Sequence, residues 1–166
     1  MWTRHLTIIK KDSEYKLISY WQWDWSPSWR GLKILEILHR IDIPTLMDNV
    51  DTLTPTSDIH IDTLTRASKD WEKEYPQFSR DTGTNIIQMV HDTKSLQISD
   101  PKNFLSDLKP NVYIEYSYLL DLDNDRLELY VGTPLDKDGN ERKPDYSCDL
   151  HNLPDKEAFL LATNQL

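Results

Sequence analysis

Five polar residues at the ends of predicted strands and helices have side chains suited to binding an anionic or polar ligand: Arg4, Gln22, Asp24, Arg80 and Asp81. An arginine guanidinium offers a planar fork of N–H donors that matches carboxylate and phosphate groups. Arg80 and Asp81 belong to a Ser-Arg-Asp-Thr-Gly segment before a helical pattern, where free backbone N–H groups could bind an anion. The same residue types also cap helices without any ligand, with the arginine paired to a carboxylate. The segment is compatible with either role.

The most concentrated stretch of the chain is residues 20–29, which holds four of the six tryptophans. Its second half has turn-like composition, so Trp25 and Trp29 fall where full burial is hard to arrange. Exposed aromatic side chains ringed by charge are common energetic centres of protein interfaces. We therefore predict that Trp25 and Trp29 contact a partner protein, with core packing as the alternative.

The sequence lacks recognisable metal and phosphate motifs. Residues 121–125 have the opening spacing of a calcium loop, but Arg126 and Gly132 stand where that loop needs glycine and glutamate. The five histidines have no zinc-protease spacing, Cys148 is the lone cysteine, and the four glycines are scattered singly. We expect no metal, no cofactor and, on balance, no enzymatic activity.

The composition of the chain limits the classes of molecule that it can bind. With 28 acidic and 19 basic residues, the net charge of -9 opposes unaided binding to nucleic acid or an anionic membrane. No apolar run approaches the roughly 20 residues of a membrane span. The lone cysteine cannot form an intramolecular disulfide, and the first residues lack the apolar run of a signal peptide. We expect a cytoplasmic protein with a protein partner, while a small-molecule ligand stays possible.

Hydrophobic alternation predicts two hairpins. Residues 4–10 and 15–24 form the first, with Gln22 and Asp24 side by side on one face at its end. Residues 112–123 and 127–131 form the second around an Asn-Asp turn.

Helical spacing of apolar residues predicts the elements between and after the hairpins. These helices cover residues 32–41, 46–53, 62–71 with Asp62 as the cap, 86–90 and 152–161, with a further short helix after Pro101. Residues 135–146 are polar and are predicted as an exposed loop. At 166 residues the chain fits a single α+β domain, in which helices pack on an antiparallel sheet built from the two hairpins.

Several motifs, taken in order, resemble a family of small bacterial, phage and fungal proteins. The matching segments are Thr3-Arg4-His5-Leu6-Thr7, Tyr20-Trp21-Gln22-Trp23-Asp24, Ser79-Arg80-Asp81-Thr82-Gly83, Asp121-Leu122-Asp123 and Glu128-Leu129-Tyr130. The resemblance covers most of the chain and implies no particular function. Family members continue the Gln-Trp-Asp element with glycine and a Tyr-Pro pair, whereas Trp25-Ser26-Pro27 stands here.

Members that begin Met-Cys-Thr-Arg are similar to N-terminal-nucleophile hydrolases of the bile-salt and penicillin amidase type. In this chain the position matching the nucleophile is Trp2, and Asp24 matches the aspartate on the next strand. Indole has no nucleophilic heteroatom. The resemblance therefore implies a layered α+β fold without catalytic function in this chain.

These observations favour a non-catalytic acidic binding protein of phage or bacterial type that acts on a host or partner protein. The alternative is a small amidohydrolase-like or ligand-sequestering protein with a pocket around Arg4, Gln22, Asp24 and Arg80. A structure can distinguish these two hypotheses, because the second needs the four side chains to converge on one cavity.

Overall fold

The structure is a computed structural model that describes residues 4–22 and 26–166. Its strands are β1 (Arg4–Lys11), β2 (Glu14–Gln22), β3 (Thr54–Thr56), β4 (Gln97–Ser99), β5 (Tyr116–Asp121), β6 (Arg126–Val131) and β7 (Tyr146–Asp149). Its α-helices are α1 (Arg30–Arg40), α2 (Ile43–Val50), α3 (Asp58–Ala67), α4 (Trp71–Glu74), α5 (Asn85–Asp92) and α6 (Lys156–Thr163). Two 3-10 helices, Pro76–Phe78 and Pro101–Leu108, flank α5 in the chain.

Five strands form the main sheet in the order β2-β1-β5-β6-β7. Both predicted hairpins are confirmed, since β1 pairs antiparallel with β2 and β5 pairs antiparallel with β6. The hairpins join through a parallel pairing of β1 with β5, so the sheet is mixed rather than wholly antiparallel. Strands β3 and β4 form a separate parallel pair. The α+β class predicted from the sequence is confirmed, while the layering implied by the resemblance stays a prediction.

Both faces of the main sheet are covered by hydrophobic side chains. On one face, Ile9 and Trp21 pack in a core that also holds Ile34 of α1 and Ile87 of α5. On the other face, Leu6 and Ile8 pack with Leu108, Leu119 and Tyr130. Because successive residues of a strand point to opposite faces, β1 contributes to both cores and is buried along most of its length.

Acidic and hydroxyl side chains start several helices by accepting backbone N–H groups. The Asp42 carboxylate accepts from Thr45 at the start of α2, and the Asp155 carboxylate accepts from Ala158 at the start of α6. Helix α3 is capped by Ser57, so the prediction that Asp62 caps it was wrong. Trp71 does not continue α3 but begins the separate helix α4.

Other element boundaries also differ from the sequence-based expectation, and α2 begins at Ile43 and ends at Val50 rather than covering residues 46–53. The strand predicted from residue 112 begins at Tyr116, because Tyr113 and Ile114 donate backbone hydrogen bonds to Asn111 and so close a turn there. The 135–146 loop is followed by β7, which adds to the edge of the sheet. Helix α6 begins at Lys156, so Pro154 precedes the helix rather than lying in its first turn.

The acidic hairpin tip between β5 and β6 has a structural role. Asp121 accepts backbone N–H groups from Asp123 and Asn124 at 3.1 Å. Asp123 accepts the backbone N–H groups of Asp12 and Ser13 at 2.7 and 2.8 Å. Asp12 and Ser13 both have positive φ, at 54° and 59°, so Asp123 stabilises a tight turn at the end of the first hairpin. The calcium-loop spacing of these aspartates thus reflects turn formation.

Candidate ligand-binding site

Two of the predicted ligand-binding residues, Gln22 and Arg80, meet at Tyr20. Arg4 lies at the same end of the sheet, where β1 begins and β2 ends. Arg4 and Gln22 lie directly opposite each other in the first hairpin. The Gln22 side-chain amide donates a hydrogen bond to the Tyr20 hydroxyl at 3.2 Å, and the Arg80 guanidinium lies 5.8 Å from the centre of the Tyr20 ring. Asp24 lies outside the described residues, so its position relative to this group stays a prediction.

A cavity of about 160 Å³ opens beside Tyr20, between β2, β4 and residues 77–80. Its polar lining comes from Ser19, Tyr20, Gln77, Ser79, Arg80 and Ser99, and its apolar lining from Leu17, Ile18, Phe78, Ile86, Ile98 and Phe104. We call it the Tyr20 cavity. Arg80 contributes to its wall, whereas Arg4 and Gln22 lie outside the lining.

The segment that carries Arg80 and Asp81 folds into its own turn. The Ser79 hydroxyl accepts the Asp81 backbone N–H at 3.2 Å, and the Thr82 hydroxyl donates to the Pro76 carbonyl. Helix α5 begins after Thr84, whose side chain makes no capping hydrogen bond. The serine and threonine of the segment therefore order the approach to α5 rather than cap it, and Asp81 is exposed.

Three arginines at this end of the sheet stack on aromatic rings, and we call them the arginine end. The guanidinium of Arg4 lies 4.7 Å from the Tyr113 ring centre, that of Arg30 lies 4.9 Å from Trp21, and that of Arg80 lies over Tyr20 as described. None of the three makes an ion pair with a described residue. Stacking holds a guanidinium in place without neutralising its charge.

Trp29, the last residue before α1, stands at the rim of an open cleft. Trp29 is 57% exposed, and the cleft has a volume of about 440 Å³. The cleft, called the Trp29 cleft, is lined by Trp29, Arg30, Leu32, Lys33, Glu36 and Lys156. Three of these side chains are cationic and one is a carboxylate, so the surroundings of Trp29 are basic and differ from the acidic surface that the composition led us to expect. Trp25, the other predicted partner-binding residue, lies outside the described residues.

A buried polar cluster lies under the arginine end and was missed by sequence reasoning. His5, Thr84 and Tyr118 are each at most 2% exposed, and their side-chain polar atoms have no hydrogen-bond partner among residues 4–22 and 26–166. The His5 ring stacks on Trp21 with ring centres 4.6 Å apart. Burial, together with the positive charge of Arg30, lowers the pKa of His5 to about 4, so this imidazole is neutral near pH 7. Burial likewise raises the pKa of the Tyr118 phenol.

One sequence signal could have located this cluster. Alternation along β1 places His5 on the same sheet face as Thr7 and Ile9, which is the face of Trp21. A polar ring on an apolar strand face is unusual enough to mark a candidate site. The spacing of the five histidines bears only on metal binding and does not reveal this role of His5. Within residues 4–22 and 26–166, no group of three or more His, Cys, Asp or Glu side chains is arranged to hold a metal ion.

Comparisons with protein-family models, with curated proteins and with solved structures find no match to this chain. Among the described residues, no helix combines the length and the apolar character needed to cross a bilayer. Trp2, the position that matches the nucleophile in the resemblance, precedes the described part of the chain.

The buried imidazole gives the protein a specific pH dependence. Unfolded histidine has a pKa of about 6.5, whereas folded His5 has a pKa of about 4, so between these values the unfolded state binds more protons. The free energy of unfolding should therefore fall as the pH drops through this window, by up to about 3 kcal/mol from His5. His5→Phe keeps an aromatic ring beside Trp21 and should remove this contribution, while leaving stability at pH 7 equal or higher.

Urea unfolding at several pH values between 7 and 4.5 measures the effect in both proteins. Carboxylates titrate in both, so the relevant quantity is the difference between wild type and His5→Phe as a function of pH. A constant difference across the window would show that His5 is not buried in its neutral form.

Proposed function

We propose that this protein is a non-catalytic binding protein that engages a partner protein through the Trp29 cleft. The observation that carries the proposal is the combination of a large exposed indole with three cationic side chains around an open cleft. An aromatic side chain that becomes buried on binding supplies most of the affinity, and the surrounding charges select the partner and speed association.

The charges of the cleft define the chemistry of the partner. Arg30, Lys33 and Lys156 outnumber Glu36, which lies 3.9 Å from Lys33. Complementarity favours a partner segment that places an apolar or aromatic side chain against Trp29 and carboxylates against the cations. The partner expected here is therefore an acidic segment.

Selection from a random peptide library tests this proposal. Peptides enriched on the wild-type protein should combine acidic residues with an aromatic or leucine side chain. Trp29→Ala should raise their Kd by roughly 30-fold, equivalent to about 2 kcal/mol, with nearly unchanged thermal unfolding because Trp29 is mostly exposed. Lys33→Glu should chiefly slow association.

Ile59→Ala is the matched control, because Ile59 is an exposed apolar residue on α3 and lies outside the cleft lining. It should leave the affinity of the selected peptides unchanged. Selected peptides that bind Trp29→Ala as tightly as wild type would contradict the proposal.

A second candidate function is sequestration of a small anionic molecule in the Tyr20 cavity. The specific observation in its favour is Arg80, which stacks on Tyr20 at the wall of the cavity and makes no ion pair with a described residue. Hydroxyl groups of Ser79 and Ser99 and the apolar ring of Phe104 complete a lining of mixed polarity, which is typical of small-molecule sites.

Native mass spectrometry of protein purified from expressing cells tests the second candidate. The wild-type protein should retain a bound small molecule that Arg80→Gln loses, because the amide removes the cation at the wall of the cavity. Arg66→Gln, on the exposed face of α3, is the control and should retain it. Equal retention by wild type and Arg80→Gln would rule out a ligand held by Arg80.

A further inference from the structure

The buried polar cluster has an unusual number of unpartnered atoms. Nδ1 and Nε2 of His5, Oγ1 of Thr84 and the hydroxyl oxygen of Tyr118 are all buried without a hydrogen-bond partner in the described structure. Leaving one buried polar group unpartnered costs about 1–3 kcal/mol. Several such groups in one part of a core call for a further group that supplies hydrogen bonds which the described residues do not supply.

Of the three residues, His5 lies directly against Trp21. The ring centre of His5 lies 4.6 Å from Trp21 and 6.3 Å from Tyr118. Gly83, which immediately precedes Thr84, lies so close that a Cβ atom placed on it would be 3.5 Å from the indole. The indole N–H of Trp21 already donates to the Thr7 hydroxyl at 2.9 Å, so it does not serve any of the three.

Arg30 adds a positive charge to this group. Its guanidinium stacks on Trp21 and would lie 3.4 Å from a Cβ atom placed on Gly83. Its charge contributes to the low pKa of His5 and acts on Tyr118 as well, so its field reaches both buried residues. Arg30 also lines the Trp29 cleft, which connects its charge to solvent.

Hydrogen-bond donors dominate this part of the molecule. The guanidinium offers five N–H donors, the Tyr118 and Thr84 hydroxyls offer one O–H each, and a neutral imidazole offers one N–H. Helices α1 and α5 begin here with no acidic residue in their first turns and no side-chain cap. Their N-terminal ends therefore add positive partial charge that no carboxylate of the first turn offsets.

We propose that Arg30, His5, Tyr118 and Thr84 form a binding site for a small oxyanion group, a carboxylate or a phosphate. An oxyanion supplies several acceptors and a negative charge at once, which matches the O–H and N–H donors of these side chains and the positive charge of Arg30. The site is separate from the Tyr20 cavity and does not depend on the partner proposed for the Trp29 cleft.

Thermal unfolding with added inorganic phosphate, or with added acetate, tests the proposal on the full chain. A ligand that binds the folded state raises the unfolding midpoint with concentration. Tyr118→Phe and Thr84→Val each remove an unpartnered atom while preserving shape. Both variants should therefore be at least as stable as wild type without ligand and should lose most of the ligand-dependent rise.

Tyr130→Phe is the matched control, because the Tyr130 hydroxyl donates to Glu128 at 2.6 Å in the core on the opposite face of the sheet. It should lose some intrinsic stability but keep the full ligand-dependent rise. A rise with phosphate alone identifies a phosphate group as the ligand, and a rise with acetate alone identifies a carboxylate. No rise with either probe, or a rise that persists in both Tyr118→Phe and Thr84→Val, would overturn the proposal.

Discussion

The pairing of β1 on both of its edges is the constraint on which the rest of the structure depends. Antiparallel pairing with β2 and parallel pairing with β5 bring together segments more than a hundred residues apart in sequence. Because Leu6, Ile8 and Ile9 are fully buried, the register of β1 is fixed from both faces. That register sets His5 beside Trp21 on one side and Tyr116 on the other, and it brings Arg4 and Gln22 together at the end of the sheet.

The distribution of charge explains how a chain of net charge -9 presents a cationic site. Several carboxylates are held by backbone N–H groups in caps and turns, among them Asp42, Asp123 and Asp155. Arginines at the end of the sheet where β1 begins stack instead on tyrosine and tryptophan rings. We therefore propose that the arginine end recognises an anionic group, on a partner protein or on a small molecule.

The sequence predicted local structure better than it predicted pairing. The spacing of apolar residues along the sequence predicts both hairpins and helices α1, α2 and α5, because each of these elements buries one face. The parallel pairing of β1 with β5 could not be predicted, since alternation does not say which strands become neighbours. Strands β3 and β7 have only three and four residues, too few for a periodic signal. Arg4 and Gln22 were placed together because they belong to one hairpin, whereas the position of Arg80 over Tyr20 depends on tertiary packing.

Recognition of an anionic group by the arginine end can be measured by following the arginine side chains themselves during a phosphate titration. Two-dimensional ¹H–¹⁵N NMR resolves the Nε–H signal of each guanidinium. We expect a saturable shift of the Arg30 Nε–H signal. The signal of Arg142 should shift less or not at all, because its guanidinium donates to the Val131 and Thr133 carbonyl oxygens. Equal shifts for Arg30 and Arg142, or no saturable shift for any arginine of the arginine end, would contradict it.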